Sequence, residues 1–214
     1  MLLHTSQKGR SMVEMLGVFA IVAAISVGGL AGFGKAMYQY EFSKTVDITI
    51  EALNDLAFFT GGHNKNKGTY VATTSNMAET ARATGLMSGC KPTTSQIANG
   101  YSVCQAPLGE IYPRFFVTTD DDDRYYTAML YVTLLKSLQT SCIKFLTRNW
   151  EQSVPKKFWQ RGRMWVVSNK GGQTVYSGES FGISVSDATT ACNNVCGDDA
   201  VYCSIVFDFS GYTN

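Results

Sequence analysis

Proline is scarce in this sequence, with 4 residues in 214, and no low-complexity run or internal repeat occurs. Long disordered linkers depend on such composition, so none is expected, and the length suits one domain or one domain plus an appendage. An excess of charge of one sign is lacking as well, because the chain has 18 Lys and Arg residues and 17 Asp and Glu residues, which gives a net charge of +1. The net charge therefore creates no electrostatic potential that would favour nucleic acid or an anionic surface as a partner.

Histidine occurs only twice, at His4 and His63. This scarcity bears on the one motif that suggests catalysis, Gly178–Gly182, which matches G-x-S-x-G around Ser180. A hydrolase of that type needs its histidine after the serine in chain order, and both histidines precede it. A glycine-rich hairpin is the preferred interpretation. We expect neither an enzyme nor a bound cofactor.

Cysteine is missing from the first 89 residues, and no C-x-x-C pair occurs anywhere. An even number of cysteines confined to one region is typical of disulfides formed in an oxidising compartment. A zinc site is the alternative, but the usual paired spacing and accompanying histidines are lacking. We therefore expect disulfides and no metal. The six residues are Cys90, Cys104, Cys142, Cys192, Cys196 and Cys203.

What the sequence does contain is a long apolar run, Met15–Gly34, which is 20 residues without a charge. At about 1.5 Å per residue this helix would span the apolar core of a bilayer. Lys8 and Arg10 precede it, so the positive-inside rule predicts a cytoplasmic N-terminus and an exported remainder. A secretory signal peptide cleaved near Leu30–Gly32, or a plain membrane anchor, are the alternatives. The run is longer than the apolar core of a usual signal peptide.

Glu14 lies directly at the edge of this run, where a signal peptide has no use for a carboxylate and a charge is costly. The stretch Gly9–Val18, with sequence GRSMVEMLGV, resembles the N-terminus of a type IV prepilin. In that family a peptidase cuts after the glycine of a short hydrophilic leader, and glutamate is the fifth residue of the mature chain. The resemblance implies a leader of residues 1–9, cleavage between Gly9 and Arg10, and Glu14 at the fifth position. The family most often begins with Phe or Met where this sequence has Arg10.

The helix is expected to continue beyond the membrane run, over residues 10–60. Apolar residues recur at spacings of three and four, separated by charges, so this second half is amphipathic and should pack one face on a globular head. Gly61 and Gly62 are expected to end the helix. Residues 61–214 then form the disulfide-bonded head. The apolar positions are Phe42, Val46, Ile50, Leu53 and Leu56.

In the head, segments rich in aromatic and β-branched residues predict strands, and a short helix is expected over Ser137–Asn149. His63–Gly68 is interpreted as a polar loop. The predicted fold class is therefore α+β, with a long N-terminal helix packed on an antiparallel sheet, as in the type IV pilin fold. The predicted strands are Phe115–Thr118, Tyr125–Val132, Met164–Ser168, Thr174–Tyr176 and Val201–Phe209.

The head is similar in layout to the type IVb branch of the family. A cysteine in a mid-head helix, Ser141–Leu146, is followed by strands and then by Ala191–Asn193 before a final apolar strand. This resemblance implies a Cys142–Cys192 disulfide, although Cys142 has Cys196 and Cys203 as alternatives. The preferred remaining pairs, which close short local loops, are Cys90–Cys104 and Cys196–Cys203.

Two charged segments are candidate ligand sites, and for each the alternative is a solvated surface. Asp120–Asp123 has the oxygen ligands that calcium prefers but lacks an EF-hand pattern, so a solvated hairpin tip is favoured. Between residues 156 and 165, basic side chains alternate with aromatic rings, which suits a carbohydrate, a single strand of nucleic acid or a neighbouring subunit. A solvated face is preferred, and nucleic acid is not expected as a partner. The residues are Lys156, Lys157, Phe158, Trp159, Arg161, Arg163 and Trp165.

The function predicted from these features is structural. By resemblance, copies of the chain assemble through their apolar helices into an extracellular filament, after insertion in the inner membrane as a precursor. The partners implied are a prepilin peptidase, other copies of the subunit and an inner-membrane assembly machine driven by a cytoplasmic ATPase. The alternatives are a minor pilin or type II secretion pseudopilin, or a membrane-tethered or secreted binding module.

Overall fold

The computed structural model describes residues 12–62, 87–89, 91–95, 97, 102–120, 123–150, 152–153, 163–177 and 183–211. Within these ranges the side chains of 57–62, 115–120, 123–128, 176–177 and 209–211 are not described. The elements are α1 Met12–Gly62, β1 Pro92–Thr94, β2 Ser102–Ala106, β3 Gly109–Asp120, β4 Asp123–Leu134, α2 Leu138–Leu146, β5 Arg163–Ser168, β6 Gly171–Ser177, α3 Val185–Cys196 and β7 Cys203–Gly211.

The predicted α+β class is confirmed, with a long N-terminal helix followed by an antiparallel sheet. The chain divides into two compact units, Met1–Glu41 and Phe42–Asn214. The described part of the first unit is the apolar half of α1. The second unit contains the rest of α1 and the whole sheet, so the amphipathic half of the helix belongs to the head.

The sheet has seven strands in the order β1-β2-β3-β4-β7-β5-β6, with each neighbouring pair antiparallel. The last strand, β7, inserts between β4 and β5 and is therefore central. Its register aligns Ile205 with Val132 on one side and with Val166 on the other. All three side chains are fully buried, and Ser204 and Val206 on the other face of β7 are buried too, so this strand is covered on both faces.

The amphipathic half of α1 buries the face that its spacing predicts. Val46, Leu53 and Leu56 are buried, while Phe42 and Ile50 are half-buried. An aromatic cluster extends from this face into the core, since the ring of Phe42 meets Phe145 of α2 edge-on, with 5.5 Å between centroids. Such pairs add about 0.5–1.5 kcal/mol beyond the area they bury. The cluster continues through Trp150 to Phe207 of β7.

Each predicted strand is present, and most are longer than the sequence indicated. β3 and β4 pair over 12 residues each and turn at Asp120–Asp123, so the predicted hairpin is confirmed although Asp121 and Asp122 lie outside the described residues. The predicted helix over Ser137–Asn149 ends earlier, at Leu146. α1 includes Gly61 and Gly62, the predicted stop, as its last residues. His63–Gly68, Gly178–Gly182 and residues 156–162 of the basic segment lie outside the described residues.

Candidate assembly segment and the disulfide-bonded head

The first part of α1 exposes every side chain from Met12 to Met37. Large apolar residues are among the most exposed, with Leu30 at 73% and Phe33 at 67%. Soluble monomers rarely leave contiguous apolar surface of more than a few hundred Å² uncovered. Because burial of such surface is favourable by about 25 cal/mol per Å², this segment is suited to lipid or to the apolar surfaces of other chains.

Among the described residues, one helix is long and apolar enough to cross a membrane, and it is α1. Glu14 is the acidic residue of its first turn and the one charged residue between Met12 and Gly34. Gly9 and Arg10, the residues of the expected cleavage, lie outside the described residues. The carboxylate of Glu14 thus lies at the beginning of the apolar run.

Five glycines interrupt the apolar half of α1, and a Cβ atom added at any of them would meet nothing within 4 Å. Each glycine weakens a helix interior by about 1 kcal/mol relative to alanine. The chain by itself therefore gains no packing advantage from them. Small residues of this kind allow apolar helices to approach one another closely. The residues are Gly17, Gly28, Gly29, Gly32 and Gly34.

In the head, disulfides join Cys142 of α2 to Cys192 of α3 and Cys196 at the end of α3 to Cys203 at the start of β7. These are the pairings preferred from the sequence. Cys104 is also disulfide-bonded, and Cys90, its predicted partner, lies outside the described residues. The two described bonds connect three elements, so they fix α2 and α3 against the central strand of the sheet.

The sulfur atoms of Cys142, Cys196 and Cys203 lie within 4.8 Å of one another. Such convergence is typical of a tetrahedral thiolate site for zinc. All three sulfurs are consumed by disulfide bonds, and a disulfide sulfur is no thiolate. In this oxidised state the cluster is therefore a crosslink between elements.

Polar groups of α1 hold two segments of the head. The hydroxyl of Thr45 accepts a hydrogen bond from the backbone N–H of Leu108 in the β2–β3 turn, at 3.2 Å. Further along the helix, the Asp55 carboxylate accepts from the N–H of Met87, which has a positive φ of 53°. Thr45 is buried although its side chain is polar. The apolar pattern of the sequence could not reveal this contact, because it depends on a hydroxyl within the buried face.

On the sheet face opposite the α2–α3 side, Tyr112 and Tyr131 are cross-strand neighbours with stacked rings, 5.0 Å apart at their centroids. The guanidinium of Arg114 lies over the Tyr131 ring at 5.3 Å. Burial raises the pKa of the Tyr112 hydroxyl to about 12, against the opposing effects of a hydrogen bond with Thr133 and the charge of Arg114. Such cross-strand pairs stabilise a hairpin, here β3–β4, by roughly 0.2–1 kcal/mol.

Comparison with known proteins gives few matches. No protein-family model and no curated protein matches the chain. Two solved structures are similar to it, both of type IVb pilins from Salmonella typhi. The crystal structure has 17% sequence identity and a TM-score of 0.46, and the match covers 78% of this chain and 99% of that one. The NMR structure of PilS has 16% identity and a TM-score of 0.45, covering 78% and 95%. At these values no residue role is transferred.

Proposed function

We propose that this chain is a type IV pilin-like structural subunit, which is inserted in the inner membrane as a precursor, trimmed at Gly9 and assembled through α1 into an extracellular filament. The observation that supports this most directly is the apolar half of α1, which leaves every side chain from Met12 to Met37 exposed. In the precursor, lipid would cover this surface. In the filament, the same helix of neighbouring copies would replace the lipid.

Processing is the first step of this proposal. Cleavage between Gly9 and Arg10, on the cytoplasmic side, would remove the leader 1–9 and create a free α-amino group. Glu14 follows four residues after the new N-terminus. Burying a charge among apolar helices costs several kcal/mol unless the charge is paired, so a positive group close to Glu14 would stabilise the bundle. The α-amino group of an adjacent copy would supply that charge, and the pair would set the axial register between subunits.

The head supports a structural role in a different way. Two disulfides lock α2 and α3 onto the central strand β7, and such bonds persist in oxidising compartments. This agrees with export of everything that follows the apolar run. Partners of this function are a prepilin peptidase, other copies of the chain and the inner-membrane machinery that drives assembly.

The deciding experiment is N-terminal sequencing of the mature protein from membranes and from the extracellular fraction. Arg10 as first residue supports the proposal. A first residue near Gly32 would indicate secretion after signal cleavage, and Met1 would indicate a membrane tether; either result overturns it.

A Gly9→Leu variant should accumulate as full-length precursor in the inner membrane, because a confined peptidase site accepts the small residue. Normal filaments built from that uncut variant would contradict the proposal.

Abundance then separates a major subunit from a minor pilin or secretion pseudopilin. A major subunit dominates the protein of purified filaments, whereas an initiating or capping subunit is present in a few copies. Quantitative mass spectrometry of sheared filaments measures this ratio directly.

A further inference from the structure

The two described disulfides of the head lie in direct contact. The Sγ atoms of Cys142 and Cys196 belong to different bonds and are 4.0 Å apart. The Sγ atom of Cys203 lies within 4.8 Å of both. At most 2% of any of the cysteines in these bonds is exposed to solvent, so they form one buried sulfur cluster rather than two separate crosslinks. We call Cys142, Cys192, Cys196 and Cys203 the sulfur cluster.

Contact between disulfides matters because a thiolate exchanges with a disulfide by attacking one of its sulfur atoms. The Sγ atom of Cys142 is bonded to Cys192 of α3, and the Sγ atom of Cys196, also on α3, lies within van der Waals distance of it. Cys192 and Cys196 are four residues apart on α3, so they share one face of that helix. A change of partner at Cys142 therefore requires sulfur displacements of a few ångströms and no rearrangement of strands.

We propose that the sulfur cluster is a thiol–disulfide exchange centre within the folded head. When the Cys196–Cys203 bond is open, the thiolate of Cys196 attacks Sγ of Cys142. A Cys142–Cys196 bond forms, the Cys142–Cys192 bond breaks, and Cys192 leaves as a thiolate. One thiolate and one disulfide are present before and after the step, so no oxidant or reductant is consumed.

Chain entropy does not choose between the two pairings. Cys142 is 50 residues from Cys192 and 54 residues from Cys196. Loop-closure cost rises only with the logarithm of length, so these two loops differ by about 0.1 RT. The native pairing must then come from packing around α3, and a wrong pairing can be corrected after the head has folded. The thiolate that starts this correction is the one on α3 that is not bonded to Cys142, for as long as the Cys196–Cys203 bond has not closed.

The test uses the full-length Cys203→Ser protein in detergent, with no added thiol, at about pH 8.5, near the ordinary thiol pKa. Free thiols are labelled with one alkylating reagent, the disulfides are then reduced, and the released thiols receive a second reagent. No Lys or Arg follows Lys170, so trypsin leaves Cys192 and Cys196 on one peptide and fragment ions must locate each label. Exchange predicts the first label on both Cys192 and Cys196 of the folded protein, with an excess on Cys196 if packing favours the Cys142–Cys192 pair. In a denatured sample, where only loop closure differs, the two amounts should lie within about tenfold of each other.

Two comparisons make the result decisive. Cys104→Ser frees a thiol outside the sulfur cluster and should leave the Cys142–Cys192 bond intact under the same conditions. Cys196→Ser leaves the Cys203 thiol beside Cys142 and should place the first label on both Cys192 and Cys203, which keeps the test available if Cys203→Ser does not fold. Circular dichroism checks folding of each variant.

The proposal is overturned if the first label is confined to Cys196 in the folded Cys203→Ser protein while a denatured sample of the same protein exchanges. Label on Cys142 would do so too, since another sulfur would be the one attacked.

Discussion

The hydroxyl of Thr45 accepts a hydrogen bond from the backbone N–H of Leu108, with 3.2 Å between oxygen and nitrogen. Both residues are buried, and the contact joins α1 to the turn between β2 and β3. It is therefore one of the polar contacts that bind the amphipathic half of the helix to the head.

Thr45→Val removes this acceptor while keeping the branched shape of the side chain. The N–H of Leu108 is then buried without the hydroxyl, so we expect a loss of about 1–3 kcal/mol in the free energy of unfolding. Chemical denaturation of the full chain in detergent measures it. Thr49→Val is the matched control, since the hydroxyl of Thr49 bonds the carbonyl of Thr45 within the helix. A Thr45→Val protein no less stable than the Thr49→Val protein would contradict the expectation.

Gly109 begins β3 against the backbone of β4. A Cβ atom at this position would lie 1.9 Å from the carbonyl oxygen of Thr133, closer than any real contact. Gly109→Ala must shift the hairpin backbone, and we expect a loss of about 3 kcal/mol or more, at the upper end of overpacking costs. Gly172→Ala is the control, because there the added atom meets the Val167 side chain at 3.3 Å. Equal melting temperatures for the two variants would disprove the steric explanation.

Tyr112 should make stability depend on pH in the alkaline range. Burial raises the pKa of its hydroxyl from 10.0 to about 12, so the folded state favours the neutral form. The contribution is complete below pH 10 and is lost as pH rises towards 12, with a total of roughly 2–3 kcal/mol. The difference between the parent and Tyr112→Phe, measured by denaturation from pH 9 to about pH 12, isolates this group. A difference that does not change with pH would refute the assignment.

The two described disulfides should differ in their contribution to stability. On the chain-entropy account, a bond that closes 50 residues contributes about 4 kcal/mol, and one that closes 7 residues about 2 kcal/mol. Paired alanine substitutions at Cys142 and Cys192, or at Cys196 and Cys203, remove each bond without leaving a free thiol behind. Denaturant midpoints of the two double variants give the comparison. The opposite order of stability would show that local packing outweighs loop length.

Glu14→Ala tests the assembly role of the N-terminal carboxylate. We expect a protein that is cleaved and inserted in the membrane but yields at least tenfold less filament, because a charged pair of about 1.5–3 kcal/mol is lost at each subunit contact. Glu14→Gln, which keeps the size and loses the charge, should behave in the same way. Ser26→Ala, in the same apolar run, is the control and should assemble normally. Filament yield is measured by shearing and immunoblotting, and parental yield from Glu14→Ala would reject the register role.

Sequence periodicity predicted α1 and the central strands because their signals are long and regular. α3 was missed, although Ser184 caps its N-terminus through the N–H of Asp187 and Ala188, Ala191, Cys192 and Val195 form a buried face. Its Thr and Asn residues are weak helix formers, and two of the face residues are alanines, so the apolar signal was faint. The short strands β1 and β2 were missed for lack of length. Their places are decided by pairing with β3, which sequence spacing does not report.

The apolar half of α1 was predicted for a different reason. The absence of charge over 20 residues and the carboxylate at the edge of that run can both be identified from the sequence alone. The contacts of Thr45 and the meeting of the two disulfides were not visible, because each joins residues more than 50 positions apart. Such contacts depend on the packing of several elements at once.

The two described disulfide loops follow one another along the chain and do not overlap, since the first spans residues 142 to 192 and the second 196 to 203. Neither loop is nested in the other, so closing one bond does not require the other to open. A chain delivered through a membrane from its N-terminal end presents both ends of the first loop before either end of the second. The order in which the crosslinks close can therefore follow the order in which the chain arrives.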